Sequence, residues 1–258
     1  MGVSQHVFSS LKVRGGVLVD GAPARADQAV FAGQVISVVM ADEASGIRPD
    51  PVPVDVVYED EDMLIVLKPA SLPCQFSSRQ EGMALENRLA ARYGECYVFR
   101  PVNRLDKGTS GLMAVAKHPH AQMLLARMLH GDAFAREYLA VVAGRPPADE
   151  GVVDAPIAKA PGATVRREVS PDGKSARTRY RILAQRDGLS LLQLRLETGR
   201  THQIRVHMRF LGCPVWGDFL YGEETPRLPG RFALHSWRIA LVHPMTGAPL
   251  RFEAPPPP

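Results

Sequence analysis

The stretch that most constrains the fold is LETGRTHQIRVHMR, residues 196–209. Just upstream, the leucines of residues 192–196 alternate with polar residues, a pattern typical of a half-buried β-strand. Gly199 interrupts this pattern, and residues 201–211 fit a helix whose apolar positions recur on one face. The segment predicts a strand, a turn and a basic helix, and the N-terminus of such a helix, with Arg200 and Arg205, suits an anion.

Outward from this segment, short apolar runs are interspersed with helical patterns. Strands are predicted at 17–19, 54–58, 63–67, 111–116 and 134–143, with further strand patterns within 232–252. Helices are predicted at 83–93, which Gly94 ends, and from Pro119 to just before Gly131. Because no regular βαβ repeat occurs, the order predicts an α+β fold.

The composition excludes several classes of protein. The chain has 258 residues, of which 45% are hydrophobic and 22% charged, so it is neither disordered nor fibrous. No apolar run reaches membrane-spanning length, and residues 1–13 lack the pattern of a secretory signal. The three cysteines are widely spaced and form no metal-type or redox-type pair. We therefore expect a cytoplasmic protein that does not bind membranes, with a monomer as the default state.

Charge is distributed unevenly along the chain. Residues 40–62 contain eight acidic residues and one basic residue, a net charge of −7. Residues 163–209 contain eleven Lys or Arg residues and four acidic residues, a net charge of +7. The basic segment 163–209 suggests a polyanionic partner, although an ordinary arginine-rich surface in contact with solvent would have the same composition. The acidic, proline-containing stretch 40–53 resembles a linker, so we predict a small unit at 1–50 and a larger one at 51–258.

The loop NRLDKGTSG, residues 103–111, carries the candidate catalytic carboxylate. Asp106 is flanked by two cations and by small residues that permit tight turns, and Thr109 can close the loop through side-chain hydrogen bonds to the backbone. By itself this pattern is more typical of an ordinary surface turn with a locally paired Asp. An aspartic protease is excluded because its Asp immediately precedes Thr-Gly or Ser-Gly in two copies, and neither condition holds here.

Metal and nucleotide chemistry find no support in the spacing of residues. His202 and His207 are five apart, so on a helix they diverge by about 140° and share no face. His118 and His120 lack a clear third ligand, and we predict no metal site. The sequence also contains no phosphate-binding glycine loop, dinucleotide fingerprint or nucleophile elbow.

Six motifs in order resemble those of the RluA-type pseudouridine synthases. The loop 103–111 is similar to the family's H-R-L-D-x-x-T-S-G signature, and residues 196–208 match its L-x-T-G-R-T-H-Q-I-R-V-H-M closely. The other similar segments are YEDEDMLIVLKPA at 58–70, REYLAVVAG at 136–144, GKSART at 173–178, and the Gly217-Asp218, Tyr221-Gly222 and Leu234-His235 pairs. The resemblance covers about residues 54 to 254.

The resemblance implies a fold and a reaction. The fold would be a catalytic domain with a mixed, mainly antiparallel central sheet, preceded at residues 11–39 by a shortened unit similar to half of an S4-type RNA-binding domain. The reaction would convert uridine to pseudouridine within ribosomal or transfer RNA, without a cofactor. RNA would be the partner, its target base displaced from the helix stack, with backbone contacts from residues such as Arg166, Arg167 and Lys174.

The resemblance also implies roles for individual residues. Asp106 would attack C1′ or the uracil ring, or act through a glycal, and Arg205 would be its basic partner. Tyr138 would stack on the uracil, and its hydroxyl would help to remove the C5 proton. Leu234 would form an apolar wall, and Arg104 would hold the displaced RNA. Arg200 and Thr109 complete the expected substrate site.

Some departures from the family pattern concern RNA choice rather than chemistry. Asn103 stands where His is commoner, Arg136 where Lys is common, and Phe219-Leu220 where a Pro-Lys-like pair is usual. Two alternatives to the isomerase remain: a non-catalytic RNA-binding or RNA-folding protein on the same scaffold, and a metal-dependent hydrolase that uses Asp106.

Overall fold

The computed structural model describes residues 16–25, 27–39, 45–77, 83–94, 96–129, 131 and 133–257. Its strands are β1 Val17–Val19, β2 Ala22–Pro23, β3 Ile36–Val38, β4 Asp55–Glu59, β5 Met63–Lys68, β6 Arg100–Pro101, β7 Ser110–Ala116, β8 Phe134–Ala143, β9 Glu150–Asp154, β10 Ile157–Lys159, β11 Arg167–Val169, β12 Arg177–Arg186, β13 Leu189–Leu196, β14 Leu234–Val242 and β15 Pro249–Glu253. Its helices are α1 Leu85–Tyr93, α2 Pro119–Met128 and α3 Gln203–Phe210. None of the helices in these ranges is long and apolar enough to cross a membrane.

A ten-stranded mixed sheet forms the centre of the fold. Its main order is β4-β5-β7-β14-β8-β13-β12-β9, with β6 paired to β7 and β15 paired to β14. The pair β7–β14 is parallel, and the other pairs of this sheet are antiparallel. The expected α+β class with a mixed, mainly antiparallel sheet is therefore confirmed.

Two apolar layers cover the two faces of the sheet. Alternate residues of β5 enter different clusters: Leu64 and Val66 pack with α1 and α3, whereas Met63 and Ile65 pack with α2. Residues of β7 divide in the same way. Because both faces of these strands are buried, their sequences are continuous apolar runs. On β13, by contrast, Leu192 and Leu194 are buried while their neighbours are half-buried or exposed, as the alternation predicted.

The N-terminal residues form a separate antiparallel sheet of three short strands in the order β2-β1-β3. This agrees with the strand predicted at 17–19, while residues 11–15 and 40–44 of the predicted unit and linker lie outside the described residues. The end of the linker is attached to α1, because Asp50 pairs with Arg88 and the Asn87 side chain donates to the Arg48 carbonyl. The division near residue 50 remains a prediction.

Helix α3 begins at Gln203, two residues later than predicted. His202 has φ 59° and ψ 19°, a left-handed conformation that ends the turn before the helix can start. The strands β9 to β12 were not predicted from the sequence. Exposed arginines occupy alternate positions of β12, and β10 and β11 have three residues each, so neither carries a strong apolar period.

Gly111 allows β7 and β14 to approach each other at the end of the loop 103–111. Its φ is +114°, and a Cβ at this position would lie 2.3 Å from the Ser236 carbonyl oxygen. We expect Gly111→Ala to lower the free energy of unfolding by about 3 kcal/mol or more, since it adds both backbone strain and a clash with main chain. Urea denaturation followed by circular dichroism would measure the loss.

Gly188→Ala is the matched control for this prediction. Gly188 also has a positive φ, +74°, but a Cβ there meets nothing within 4 Å. Its expected cost is about 1 kcal/mol, from the left-handed backbone alone. Equal unfolding free energies for the two variants would contradict the argument from close approach.

Candidate active site

The loop before β7 holds Asp106 through contacts on both sides. The Asn103 side-chain oxygen accepts the Ala114 amide at 2.9 Å, and the Thr109 amide donates to the Asp106 carbonyl at 3.1 Å. Below the loop, the fully buried Lys68 donates to the carbonyls of Leu72 and Lys107. Burial lowers the pKa of Lys68 to about 8. The turn at Thr109, the Asn103 side chain and the buried Lys68 thus fix the backbone of the loop that carries the Asp106 carboxylate.

Arg205 connects two carboxylates from different parts of the chain. Its Nη1 donates to Asp106 Oδ2 at 3.0 Å, while Nε and Nη2 donate to the two oxygens of Asp218 at 2.6 and 2.9 Å. The side chain of Arg205 is 3% exposed, that of Asp218 is fully buried, and that of Asp106 is 24% exposed. The bidentate pair with Asp218 orients the guanidinium and leaves Asp106 as the most exposed member of the trio.

Aromatic rings enclose the same guanidinium. The Arg205 carbon Cζ lies 4.3 Å from the centre of the Phe232 ring and 4.9 Å from that of Tyr221. Burial by itself would lower the pKa of Arg205, but the hydrogen bonds and charges of Asp218 and Asp106 raise it above its ordinary value. The guanidinium is therefore a permanent, rigidly placed positive charge beside Asp106.

His202 approaches Asp106 from the start of α3. The Tyr221 hydroxyl oxygen accepts the Arg167 amide at 2.8 Å, so its own proton is available to His202 Nδ1, also at 2.8 Å. When the hydroxyl donates to Nδ1, the imidazole proton is on Nε2, which lies 3.9 Å from Asp106 Oδ1. Burial lowers the pKa of His202, and this keeps the ring neutral at pH 7.

One cavity of about 60 Å³ gathers every site residue that the sequence suggested. Its lining includes Arg104, Asp106, Thr109, Tyr138, Arg200, Arg205 and Leu234. Tyr138 comes from β8 and Leu234 from the first position of β14, which are adjacent strands. Burial raises the pKa of Tyr138, so its phenol keeps its proton at neutral pH.

Comparison with known proteins identifies the family. A family model described as RNA pseudouridylate synthase matches residues 62–210. The chain belongs to this family. It is 37% identical over 261 residues to the uncharacterized RNA pseudouridine synthase YjbO of Bacillus subtilis, across 99% of this chain and 92% of that protein. It is 40% identical over 253 residues to the ribosomal large subunit pseudouridine synthase D of Nitrosomonas europaea, across 93% and 73% of the two chains.

A solved structure supports the same identification. The human RNA pseudouridylate synthase domain containing 1 has a TM-score of 0.65 and 27% identity, over 79% of this chain and 84% of that chain. The protein is therefore an RNA pseudouridine synthase, and it isomerises uridine in RNA.

Two contacts at this cavity were not predicted from the sequence. Asp218 and Tyr221 belong to a recognised motif, yet their partners, Arg205 and His202, lie elsewhere in the chain. His202 and His207 were considered only as metal ligands. The rings instead have protein partners: His202 contacts Tyr221, and the buried His207 contacts the Thr178 hydroxyl and the Ala155 carbonyl. For the contact between Asp218 and Arg205, the available signal in the sequence was an Asp directly after a Gly, in the Gly217-Asp218 pair.

One group of potential metal-ligating side chains lies outside the cavity. Asp60, Asp62 and His243 bring their ligand atoms within 4.8 Å of one another. His243 Nε2 contacts Asp60 at 2.8 Å, and Asp60 also accepts the amides of Asp62 and Met63. These contacts tie the β4–β5 turn to the turn after β14, which accounts for the group as a structural element.

Tyr221→Phe tests the chain of hydrogen bonds to His202. Without the hydroxyl, the His202 tautomer is no longer fixed, and we expect the single-turnover rate to fall about tenfold or more with RNA affinity unchanged. Nitrogen NMR of the imidazole would show a mixture of tautomers instead of the Nε2–H form. Tyr97→Phe is the control, because the Tyr97 hydroxyl is buried with no hydrogen-bond partner in the described part of the chain. If both variants keep the wild-type rate and the wild-type tautomer of His202, the Tyr221 hydroxyl does not fix that tautomer.

Proposed function

We propose that this enzyme converts uridine in large-subunit ribosomal RNA to pseudouridine, with Asp106 as the nucleophile. The observation that carries the proposal is the position of Asp106. Its carboxylate lies 3.0 Å from the buried Arg205 in a cavity that Tyr138 and Leu234 also line. A charged group for the sugar or ring and apolar surfaces for a flat base are thus within one small space.

The reaction is an internal rearrangement of the nucleotide. The bond between N1 of uracil and C1′ of ribose breaks, a bond between C5 and C1′ forms, C5 loses its proton and N1 gains one. No electron or group is exchanged with a second reactant, so we expect no cofactor. Attack on C1′, attack on the ring and a glycal path all require an anionic group where Asp106 lies.

The side chains around Asp106 suit particular steps. Tyr138 and Leu234 provide faces on which the uracil packs. Since burial raises the pKa of Tyr138, its protonated phenol suits stacking and hydrogen bonding better than removal of the C5 proton. Arg104 is exposed at the cavity and is placed to bind phosphate of the displaced strand, and Arg200 adds a second positive charge.

The names of relatives guide the choice of RNA. Proteins from Nitrosomonas europaea, Xanthomonas campestris and Pasteurella multocida with 36% to 40% identity are called ribosomal large subunit pseudouridine synthase D. Exposed basic residues such as Arg166 and Lys174 supply backbone contacts away from the cavity. The three cysteines are free thiols, which agrees with action in the cytoplasm.

Tritium release tests this proposal. Large-subunit ribosomal RNA and transfer RNA would be transcribed with tritium at uracil C5 and incubated with the wild-type enzyme. We expect release from the ribosomal transcript, after which the modified uridine can be mapped. Release from transfer RNA alone would correct the substrate. No release from either RNA, with binding retained, would favour the non-catalytic RNA-binding alternative.

A further inference from the structure

An exposed phenylalanine lies beside Arg205, one of the residues that line the cavity. Phe219 is 58% exposed, and its ring centre is 6.0 Å from the Arg205 carbon Cζ and 6.3 Å from the centre of the buried Phe232 ring. Single exposed apolar residues are common on protein surfaces and need no explanation. Phe219 differs because the guanidinium next to it is the one that holds Asp106.

The turn around Phe219 directs its ring outward. Asp218 Oδ1 accepts the amides of Leu220 and Tyr221, and the Gly222 amide donates to the Asp218 carbonyl. Leu220 packs against the apolar cluster that contains Tyr221. With Asp218 and Leu220 both facing inward, the residue between them points to solvent, and its contact with Phe232 limits the motion of the ring. The ring is therefore a preorganised apolar surface.

The position of this ring relates it to the substrate. A uridine that reaches Asp106 meets a carboxylate whose Oδ2 lies 3.0 Å from Arg205 Nη1, and Phe219 flanks the same guanidinium. The nucleotides next to that uridine must lie at the mouth of the cavity. Aromatic side chains bind unstacked bases there without regard to sequence, because every base has a π-face. A base whose neighbour has been flipped out has lost a stacking partner, and an exposed ring replaces it.

We propose that Phe219 stacks on a base adjacent to the target uridine and holds the RNA in its opened conformation. The inference rests on the proposed use of this cavity for uridine. It assigns to Phe219 a role in RNA binding that is separate from the chemical step. Loss of the ring should therefore raise the RNA concentration needed for half-saturation and leave the rate at saturating RNA unchanged.

The experiment compares Phe219→Ala, Phe219→Leu and Phe219→Trp with Phe210→Ala. Phe210 is 59% exposed at the end of α3 and makes a matched control. One probe is the tritiated large-subunit transcript. After the target uridine has been mapped, three hairpins that contain it are added: one intact, one abasic at the preceding nucleotide and one abasic at the following nucleotide. Thermal denaturation would verify that each variant is folded.

For Phe219→Ala we expect the half-saturating RNA concentration to rise about fivefold or more, with the plateau rate within about twofold of wild type. Phe219→Trp should restore binding, whereas Phe219→Leu, which keeps apolar bulk without a ring, should not. On a hairpin that is abasic at the contacted neighbour, wild type and Phe219→Ala should bind equally, because the base and the ring form one interaction.

Other outcomes would overturn the inference. If the wild type is active and Phe219→Ala binds RNA as well as Phe210→Ala does, the stacking inference is wrong while the proposed function stands. The same conclusion follows if Phe219→Leu binds RNA as well as the wild type. If Phe219→Ala binds both abasic hairpins more weakly than the wild type, by the same factor as on the intact hairpin, the stacking inference is also wrong. If wild type releases no tritium from any transcript, the proposed function fails and takes this inference with it.

Discussion

Asp106→Asn should abolish isomerisation while RNA binding stays within about threefold of wild type. Asparagine has the same shape, and its oxygen can still accept from Arg205, so the loop and the ion-pair network keep their geometry. What is lost is the anionic oxygen that we propose attacks or stabilises the reacting centre. Removing a nucleophile of this kind lowers turnover by about 10⁴-fold or more. Single-turnover tritium release and gel-shift titration on the same RNA would measure the two quantities.

The control is Asp149→Asn, which changes an exposed carboxylate in an ion pair with Arg145. It should leave both quantities unchanged. A non-catalytic RNA-binding protein on this scaffold would behave differently, because its RNA-folding activity would not need the carboxylate of Asp106. Retained tritium release by Asp106→Asn would remove Asp106 from the chemistry altogether.

The elements that could be predicted from sequence are those with a clear burial pattern. Strands β5 and β7 are apolar on both faces, and β8 spans the predicted residues because its buried and half-buried positions alternate along its full length. The strand β12 escaped prediction because its outer positions are charged and its register shifts between Ile182 and Ala184. Its place in the sheet is set by pairing with β9 and β13, which no local pattern records.

The site divides in a similar way. Its seven predicted residues each belong to a motif with fixed local spacing, and the structure places them around one cavity, while their roles stay predictions. The parts played by Asp218 and His202 depend on tertiary contacts. Asp218 meets Arg205 across 13 residues, and His202 reaches Asp106 only because its left-handed backbone starts α3 late. Such contacts follow from the packing of α3 against the sheet.

Arg205→Met should reduce turnover far more than it reduces RNA binding. The guanidinium contacts protein carboxylates and aromatic rings and is 3% exposed, so its direct contact with RNA backbone is small. Its loss removes the positive charge beside Asp106, and we expect a fall of about 10³-fold in the single-turnover rate. RNA affinity by gel shift should change by only a few-fold. An equal loss in rate and affinity would show that Arg205 acts mainly in binding.

The same substitution also strands a buried charge, and a second variant separates this effect from catalysis. Without Arg205, the amides of Leu220 and Tyr221 are the hydrogen-bond donors that the fully buried Asp218 side chain retains among the described residues. Arg205→Met should therefore lower the free energy of unfolding by about 3–5 kcal/mol. Adding Asp218→Asn removes the uncompensated charge and should recover much of that stability, while turnover stays low. If the double variant regained activity together with stability, Arg205 would be a structural residue, and the charge next to Asp106 would have no part in the reaction.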